Sequence, residues 1–207
     1  PTEKTMTKTI ELIFDFVSPN AYLVWQPLRE LAARQGAQIK ITPAFLGGMH
    51  KLTGNAPPFI RDAAVKGKNE YATLEMQRFI AKHRLTRFKM NPKFPFNSVH
   101  LLRMLMSLQG DDQIKFVEAL VPAIWEQGLD VGDANAVAAV LTAAGFDAES
   151  LAAKAQDAAI KQALMDSTEK AVERGAFGIP TFYIGNEMFF GKERLGQIEE
   201  MLENIKT

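Results

Sequence analysis

Strand-forming segments lie only near the two ends of this chain, and the long middle part has helical patterns. At the N-terminal end, β-prone segments at residues 9–17 and 38–42 flank an amphipathic segment at residues 20–35, which Gly36 can end. Strand, helix and strand within about 35 residues predict a βαβ unit with a right-handed crossover. The first part of the fold is therefore predicted to be two strands joined by a helix.

The C-terminal end has a different order of elements. Residues 180–184 and 187–190 are apolar runs separated by Gly185-Asn186, which is typical of a two-residue hairpin connection. A helical pattern follows at residues 192–204. A βαβ start and a ββα end predict an α/β fold, with a thioredoxin-like core and a large all-helical insertion.

The middle of the chain supplies this insertion. Residues 44–58 are rich in glycine and proline and predict a long loop, whereas the periodicity from residue 59 to residue 174 is helical. We therefore assign residues 9–47 and 176–205 to the thioredoxin-like core, and residues 58–174 to a helical insertion domain.

Composition excludes several classes of site. The 207-residue chain has 24 basic and 24 acidic residues, a balance that does not favour nucleic acid or an anionic membrane as partner. Cysteine is absent, which excludes disulfides, zinc–thiolate sites, iron–sulfur clusters and a protein thiol nucleophile. The three histidines lack metal-ligand spacing, so no metal site is predicted. Residues 1–8 are polar and no apolar run approaches the roughly 18 residues of a membrane span, so we expect a cytoplasmic, soluble protein.

Ser18 lies where the first predicted strand meets the first predicted helix, with Pro19 directly after it. Ser is a preferred N-cap and Pro is favoured at the first helical position, so both residues are explained by capping alone. The same place carries free backbone N–H groups and the positive end of the helix dipole, which together favour an anion. The two interpretations do not exclude each other.

Four short motifs occur in the order found in one known family. They are Ser18-Pro19-x-x-Tyr22, Gly54-Asn55-x-Pro57-Pro58, Gly175-x-Phe177-Gly178-x-Pro180 and Phe190-Gly191-Lys192-Glu193-Arg194-Leu195. In this order they resemble the kappa-class glutathione transferases and the 2-hydroxychromene-2-carboxylate isomerases of the disulfide-oxidoreductase-A-like thioredoxin superfamily. The likeness covers nearly the whole chain. Lys192 and Glu193 depart from the family pattern, which has a small or amide residue followed by Asp.

The resemblance implies a glutathione site. Ser18 would hydrogen-bond the glutathione sulfur as a thiolate, and the helix N-terminus would favour the same charged form. The backbone of Ile179, in a cis peptide with the following proline, would pair with the glutathione backbone. Asn55 and Lys66 would bind its glycyl end or peptide groups, and Glu193 would bind its γ-glutamyl amine. The implied cofactor-binding residues are Ser18, Asn55, Lys66, Ile179, Pro180 and Glu193, and the catalytic one is Ser18.

Each of these residues also has an ordinary structural explanation. Asn55 follows a glycine and is a typical turn residue. Lys66 is explained as a solvated helix charge, and Glu193 as a first-turn acid that complements the dipole of the last helix. Pro180 is explained as a proline at the start of a strand.

The segment Asn91-Pro92-x-Phe94-Pro95-x-Asn97 favours the isomerase branch of the family. The resemblance then implies cis-trans isomerisation of aromatic catabolites of the 2-hydroxychromene-2-carboxylate type, with glutathione as a cofactor that is not consumed. Five basic residues are candidates for binding the substrate carboxylate, and the sequence does not distinguish among them. Three phenylalanines are candidates for lining the apolar side of the substrate site, although core packing is the more common role of phenylalanine. The residues are Arg61, Lys66, Arg78, Lys89 and Lys93, and Phe45, Phe94 and Phe96.

Two other functions remain open at this point. A kappa-like transferase or peroxidase would consume glutathione, and a non-catalytic thioredoxin-fold binding module would explain the missing cysteine equally well. The resemblance also implies a homodimer with a small aromatic molecule as its other partner.

Overall fold

The structure is a computed structural model that describes residues 7–205, so most of the polar N-terminal segment considered above lies outside the described residues. It contains one four-stranded sheet with the strand order β2-β1-β3-β4. β1 pairs in parallel with β2 and antiparallel with β3, and β3 and β4 form an antiparallel hairpin. The strands are β1 (Thr9–Phe14), β2 (Gln38–Pro43), β3 (Thr181–Ile184) and β4 (Glu187–Phe190).

The helices follow the predicted arrangement. α1 (Pro19–Gln35) joins β1 to β2, and the stretch between β2 and β3 supplies a helical insertion. The predicted α/β fold with a thioredoxin-like core and a helical insertion is therefore confirmed. The helices after β2 are α2 (Leu46–Thr53), α3 (Pro58–Arg61), α4 (Lys68–His83), α5 (Val99–Met106), α6 (Asp111–Trp125), α7 (Ala134–Ala143), α8 (Ala148–Lys154), α9 (Ala158–Glu173) and, after a 3₁₀ turn at Lys192–Arg194, α10 (Leu195–Asn204).

The core forms around β1, which is in the middle of the sheet and is buried on both faces over its second half. Leu12 stands opposite Phe182 of β3, and both side chains are fully buried. Beyond the strand, the indole nitrogen of Trp125 donates to the carbonyl of Phe16 at 3.0 Å. This bond ties α6 of the insertion to the end of β1, where the chain enters α1.

The region after β2 corrects one prediction. Residues 46–53 were expected to be part of a long loop because of Gly47-Gly48, but they form α2. The glycines leave room for the ring of Phe45, which lies 3.0 Å from the position that a Cβ would take at Gly47. The helix is stabilised by acceptors that belong to distant parts of the chain, and a sequence pattern does not reveal such acceptors.

The described residues contain no helix that is both long and apolar enough to cross a membrane.

Candidate active site

Ser18 is the N-cap of α1, as predicted. Its side-chain oxygen accepts a hydrogen bond from the backbone N–H of Ala21 at 3.3 Å. The first turn of α1 contains no acidic residue, so no side chain of that turn offsets the positive end of the helix dipole. Ser18 is only 3% exposed, which places its hydroxyl inside the protein rather than on an open surface.

The hydroxyl of Ser18 also donates to the backbone carbonyl of Ile179, at 3.1 Å. The Ile179–Pro180 peptide is cis, as the resemblance implied, and it leads directly into β3. Gly178 has no space for a side chain, because a Cβ there would come within 2.8 Å of the ring of Phe190. The fold thus brings the start of α1 and the segment before β3 into direct contact.

Asn55 joins the same place from α2. It directly follows Gly54, the left-handed residue that ends α2, and its side-chain amide nitrogen donates to the carbonyl of Phe177 at 2.8 Å. Its side-chain oxygen accepts from the backbone N–H of Ala56 at 2.9 Å. Asn55 therefore connects the end of α2 to the segment that carries Ile179.

A charged cluster lies next to Asn55. Arg61 forms two hydrogen bonds of 3.0 Å with the carboxylate of Asp62, and its guanidinium lies 3.5 Å from the side-chain oxygen of Asn55. Lys68 pairs with the same carboxylate at 3.1 Å. The Arg61 guanidinium, above all, holds the pKa of Asp62 at about 2. Burial and the charge of Arg61 together lower the pKa of His50, so this side chain is neutral at pH 7. Two cations against one carboxylate leave the cluster with a net positive charge.

The other basic candidates lie elsewhere. Lys66 is exposed in the turn before α4, and its role stays a prediction; Lys68 is the lysine that contacts Asp62. Arg78 pairs with Glu75 on α4. The side chains of Lys89 and Lys93 are exposed in the segment after α4. Of the five basic residues considered, Arg61 is therefore the one that the structure brings next to Asn55.

Glu193 faces an unexpected partner. Its carboxylate accepts from the ammonium of Lys192 at 2.8 Å, and that ammonium lies 5.6 Å from the centre of the Phe79 ring. Burial alone would raise the pKa of Glu193, but the hydrogen bond and charge of Lys192 bring it below its usual value. Both residues line a cleft of about 430 Å³ between α1, α4 and α10, and Ser18 does not line it.

Comparison with known proteins agrees with the fold. The family model of the DSBA-like thioredoxin domain matches residues 9–203. The chain belongs to the DsbA-like thioredoxin domain family. A 2-hydroxychromene-2-carboxylate isomerase of Sphingobium xenophagum is 32% identical over 200 residues, which cover 95% of this chain and 99% of that protein. The structure of a 2-hydroxychromene-2-carboxylate isomerase superposes with a TM-score of 0.80 at 26% identity, covering 94% of each chain.

Kappa glutathione transferases are similar over the same length. Glutathione S-transferase kappa 1 of Rattus norvegicus is 25% identical over 209 residues, which cover 94% of this chain and 91% of that protein. Relatives of both kinds support an isomerase or glutathione-transferase type of function for this DsbA-like chain.

Two polar residues near Ser18 were not predicted from the sequence to be part of the site of this DsbA-like chain. Asp15 is fully buried at the end of β1, and the side-chain oxygen of Asn20 is buried in the first turn of α1 without a hydrogen-bond partner among residues 7–205. Burial raises the pKa of Asp15 to about 6, although neighbouring donors act in the opposite direction. The available signal was an Asp inside the apolar run from Ile10 to Val17, where a buried carboxylate is unusual.

The segment that favoured the isomerase branch packs beside this site. The side-chain amide of Asn91 donates to two backbone carbonyls, of Ile124 and Leu129, each at 2.9 Å, so it has a structural role. The ring of Phe94 lies 6.1 Å from that of Phe59 on α3. Phe94 also lies 6.0 Å from the ring of Trp125, on which Phe96 packs, and Phe45 packs over Gly47 and Gly48. Phe94 thus contacts Phe59, which lies on the same short helix as Arg61.

Proposed function

We propose that this protein is a glutathione-dependent cis-trans isomerase of aromatic catabolites of the 2-hydroxychromene-2-carboxylate type. The observation that carries the proposal is the contact between the Ser18 hydroxyl and the Ile179 carbonyl at the N-terminus of α1. The identity of 32% to an isomerase over nearly the whole of both chains supports the same reaction.

The residues present fit a thiol peptide. The Ser18 hydroxyl and the Ile179 carbonyl are a donor and an acceptor that now satisfy each other. A bound thiol peptide offers each of them a new partner, because its sulfur accepts from Ser18 and its backbone N–H donates to Ile179. One internal hydrogen bond is exchanged for two with the ligand, so binding leaves neither buried group unpaired.

The position of Ser18 favours the charged form of the sulfur. Lowering a thiol pKa by about two units requires roughly 2.7 kcal/mol. A hydrogen bond to a charged group contributes about 1.5–3 kcal/mol, and a helix N-terminus adds about 0.3–1 kcal/mol. These two contributions are therefore of the required size. When bound, glutathione supplies a thiolate that adds reversibly to a conjugated double bond, so that the bond rotates before the thiolate leaves.

Two charged groups, one next to Asn55 and one at Glu193, suit the two ends of the ligands. In this proposal the positive cluster of Arg61, Lys68 and Asp62 receives a carboxylate, either from the glycyl end of glutathione or from the aromatic substrate. The partly exposed carboxylate of Glu193 receives the γ-glutamyl ammonium, in competition with Lys192. The rings of Phe59 and Phe94 contact the aromatic part of the substrate.

A kappa-like transferase is the second candidate, because glutathione S-transferase kappa 1 is similar over nearly the same length. The two functions differ in the fate of the thiol: an isomerase returns it at the end of each turnover, whereas a transferase consumes it. Turnover with a limiting amount of glutathione, together with a count of free thiol, separates them. An isomerase completes many turnovers at constant free thiol.

Calorimetric titration with glutathione is the first test. We expect the wild-type protein to bind and the ultraviolet band of the thiolate to appear near neutral pH, and we expect the band to be absent in Ser18→Ala. S-methylglutathione is the matched ligand, since it keeps both charged ends but cannot form a thiolate. Turnover of hydroxychromene carboxylate in the complete absence of thiol contradicts the proposal. Lack of glutathione binding at millimolar concentration favours a non-catalytic binding module.

We also propose that the chain forms a homodimer. α4 is 16 residues long and none of its residues is buried. Large apolar side chains on α4, on α2 and α3, and in the turn before α4 are also exposed, and in this proposal a second copy covers them. They are Leu52, Ile60, Val65, Tyr71 and Leu74. Sedimentation equilibrium tests this, and a monomer at micromolar concentration contradicts it.

A further inference from the structure

Asp15 is a buried carboxylate to which the proposed reaction assigns no role. It is fully buried at the end of β1, three residues before Ser18. One carboxylate oxygen accepts from the backbone N–H of Val17 at 3.2 Å, and the other accepts from the backbone N–H of Leu46 at 2.8 Å. The carboxylate therefore connects the end of β1 to the first residue of α2.

α2 depends on this contact, because its own sequence cannot cap it. The N-cap residue is Phe45, whose side chain accepts no hydrogen bond. The free N–H groups at this end are instead satisfied from elsewhere: Asp15 accepts from Leu46, and the hydroxyl of Thr168 on α9 accepts from Phe45 at 3.0 Å. Two tethers thus hold the start of α2, and one of them is ionisable.

The other end of α2 reaches the candidate site. Gly54 ends the helix, and the next residue, Asn55, donates to the carbonyl of Phe177, two residues before Ile179. The start of α1 is also linked to Asp15, since the backbone N–H of Ser18 points to the Asp15 carbonyl at 3.4 Å. Asp15 is therefore connected to both parts of the chain that meet at the Ser18–Ile179 contact.

All groups that act on the carboxylate are neutral. They are the backbone N–H groups of Phe16 and Val17 at the end of β1, the N–H of Leu46 on α2, and the hydroxyl of Ser98 before α5. The Ser98 hydroxyl is buried near the carboxylate and lowers its pKa, although it lies outside ordinary hydrogen-bond geometry. Burial outweighs these donors, so the pKa of Asp15 is raised to about 6.

We propose that Asp15 is a positioning residue, whose ionised carboxylate ties α2 to the end of β1 and thereby holds Asn55 against the segment that carries Ile179. The link to ligand binding rests on the proposed function; the tether itself does not. Protonation weakens the tether when α2 detaches with the carboxyl still buried, because that opened state lacks the Leu46 donor that lowers the carboxyl pKa, and a hydrogen bond to a charged acceptor is roughly twice as strong as a neutral one. Complete unfolding, which exposes the carboxyl to water, responds to protonation in the opposite sense. The candidate site is thus best ordered above the pKa of Asp15.

Substitution by Asn removes the charge at nearly constant volume. Asn offers a single oxygen to two N–H groups, so either Val17 or Leu46 loses its acceptor and faces an NH₂ group instead. Two matched variants separate the possible causes. Thr168→Val removes the other tether of α2, which does not titrate. Glu11→Gln removes a carboxylate on the same strand that contacts Arg174, away from the site.

Amide hydrogen exchange without ligand tests the tether. At pH 7.5, we expect residues 46–56 to lose protection by about tenfold in Asp15→Asn, whereas Glu11→Gln matches the wild type. Between pH 7.5 and pH 5, after correction for intrinsic rates, wild-type protection in this segment falls towards that of Asp15→Asn. Thr168→Val is less protected at both pH values and keeps the wild-type pH dependence. Equal protection in Asp15→Asn and wild type overturns the proposal.

Glutathione affinity provides the second readout. We expect Asp15→Asn to bind about tenfold more weakly at pH 7.5 and to lose the decline in affinity that the wild type shows as pH falls through about 6. If Asp15→Asn binds like the wild type, the positioning role is overturned while the proposed function stands. If the wild type itself binds no glutathione, the proposed function fails and the hydrogen-exchange result alone decides the role of Asp15.

Discussion

The hydroxyl of Ser18 donates to the carbonyl of Ile179 across 3.1 Å, although 161 positions of sequence separate the two residues. The hydroxyl that we propose as the donor to a thiolate is therefore paired with a protein acceptor in this structure. The arrangement protects two buried polar groups from being left unpaired. It also means that a ligand gains affinity only if it replaces both halves of the bond, which selects for a molecule with an acceptor and an N–H at matching positions.

Removing the Ser18 hydroxyl should reduce activity far more than stability. In Ser18→Ala, loss of a hydrogen bond to a thiolate is expected to decrease kcat/KM by about 10- to 100-fold. Loss of the N-cap should lower the free energy of unfolding by about 1 kcal/mol. Steady-state kinetics and urea unfolding measure the two effects. Asp133→Ala is the control, because it removes the N-cap of α7, far from Ser18 in sequence. A similar loss of activity in both variants contradicts a catalytic role for Ser18.

Asn55 should matter for binding rather than for the chemical step. In Asn55→Ala the bond to the Phe177 carbonyl is lost, so the segment before Ile179 is held less firmly and KM for glutathione is expected to rise about fivefold. The value of kcat should change by less than about twofold, since Asn55 does not contact the sulfur in this proposal. Asn135→Ala on α7 is the matched control. A fall in kcat at unchanged KM would show that Asn55 acts on the reaction itself.

Most of the fold could be predicted because its signals are local. The apolar run from Ile10, the cap at Ser18 and the stop at Gly36 lie within the elements that they define, and the structure has all three. α2 could not be predicted, because its N-terminal N–H groups are satisfied by Asp15 and Thr168 from other parts of the chain. Local propensity gave the wrong result where the stabilising groups are tertiary.

The candidate site, like the fold, could be predicted from the sequence only in part. Ser18 and Ile179 were both predicted as glutathione-binding residues from motifs whose order resembles a known family, and the direct contact between them is a finding of the structure. The pairing of Lys192 with Glu193 was not, because it depends on a side-chain rotamer that buries an ammonium. The role of Asp15 could not be predicted either, because a single acid in an apolar strand gives no indication of which N–H groups its carboxylate will accept from.

Lys192 and Glu193 should be coupled in stability. Lys192 is 7% exposed, so Glu193→Gln leaves a buried ammonium without its counter-charge and should lower the free energy of unfolding by about 1–3 kcal/mol. The double variant Lys192→Met/Glu193→Gln removes both charges and should recover most of this loss. Urea unfolding of all four proteins of the cycle measures the coupling. Additive effects of the two substitutions contradict the pairing.

Asp15 should make stability depend on pH in the direction opposite to that of an ordinary paired carboxylate. Burial raises its pKa from 3.8 to about 6, so between these values the folded protein holds a proton that the unfolded chain has released. Folding is therefore favoured by this group at low pH, and its contribution is lost as pH rises from about 4 to about 6, by roughly 3 kcal/mol in total.

Other carboxylates, such as Asp62 with a pKa of about 2, act in the reverse sense, so the wild type alone does not isolate the effect. The difference in unfolding free energy between wild type and Asp15→Asn does. We expect the wild type to lose stability relative to the variant across this pH range and the difference to be constant above about pH 7. A difference that is independent of pH would mean that Asp15 titrates near 3.8 in the folded protein and is already charged at pH 5.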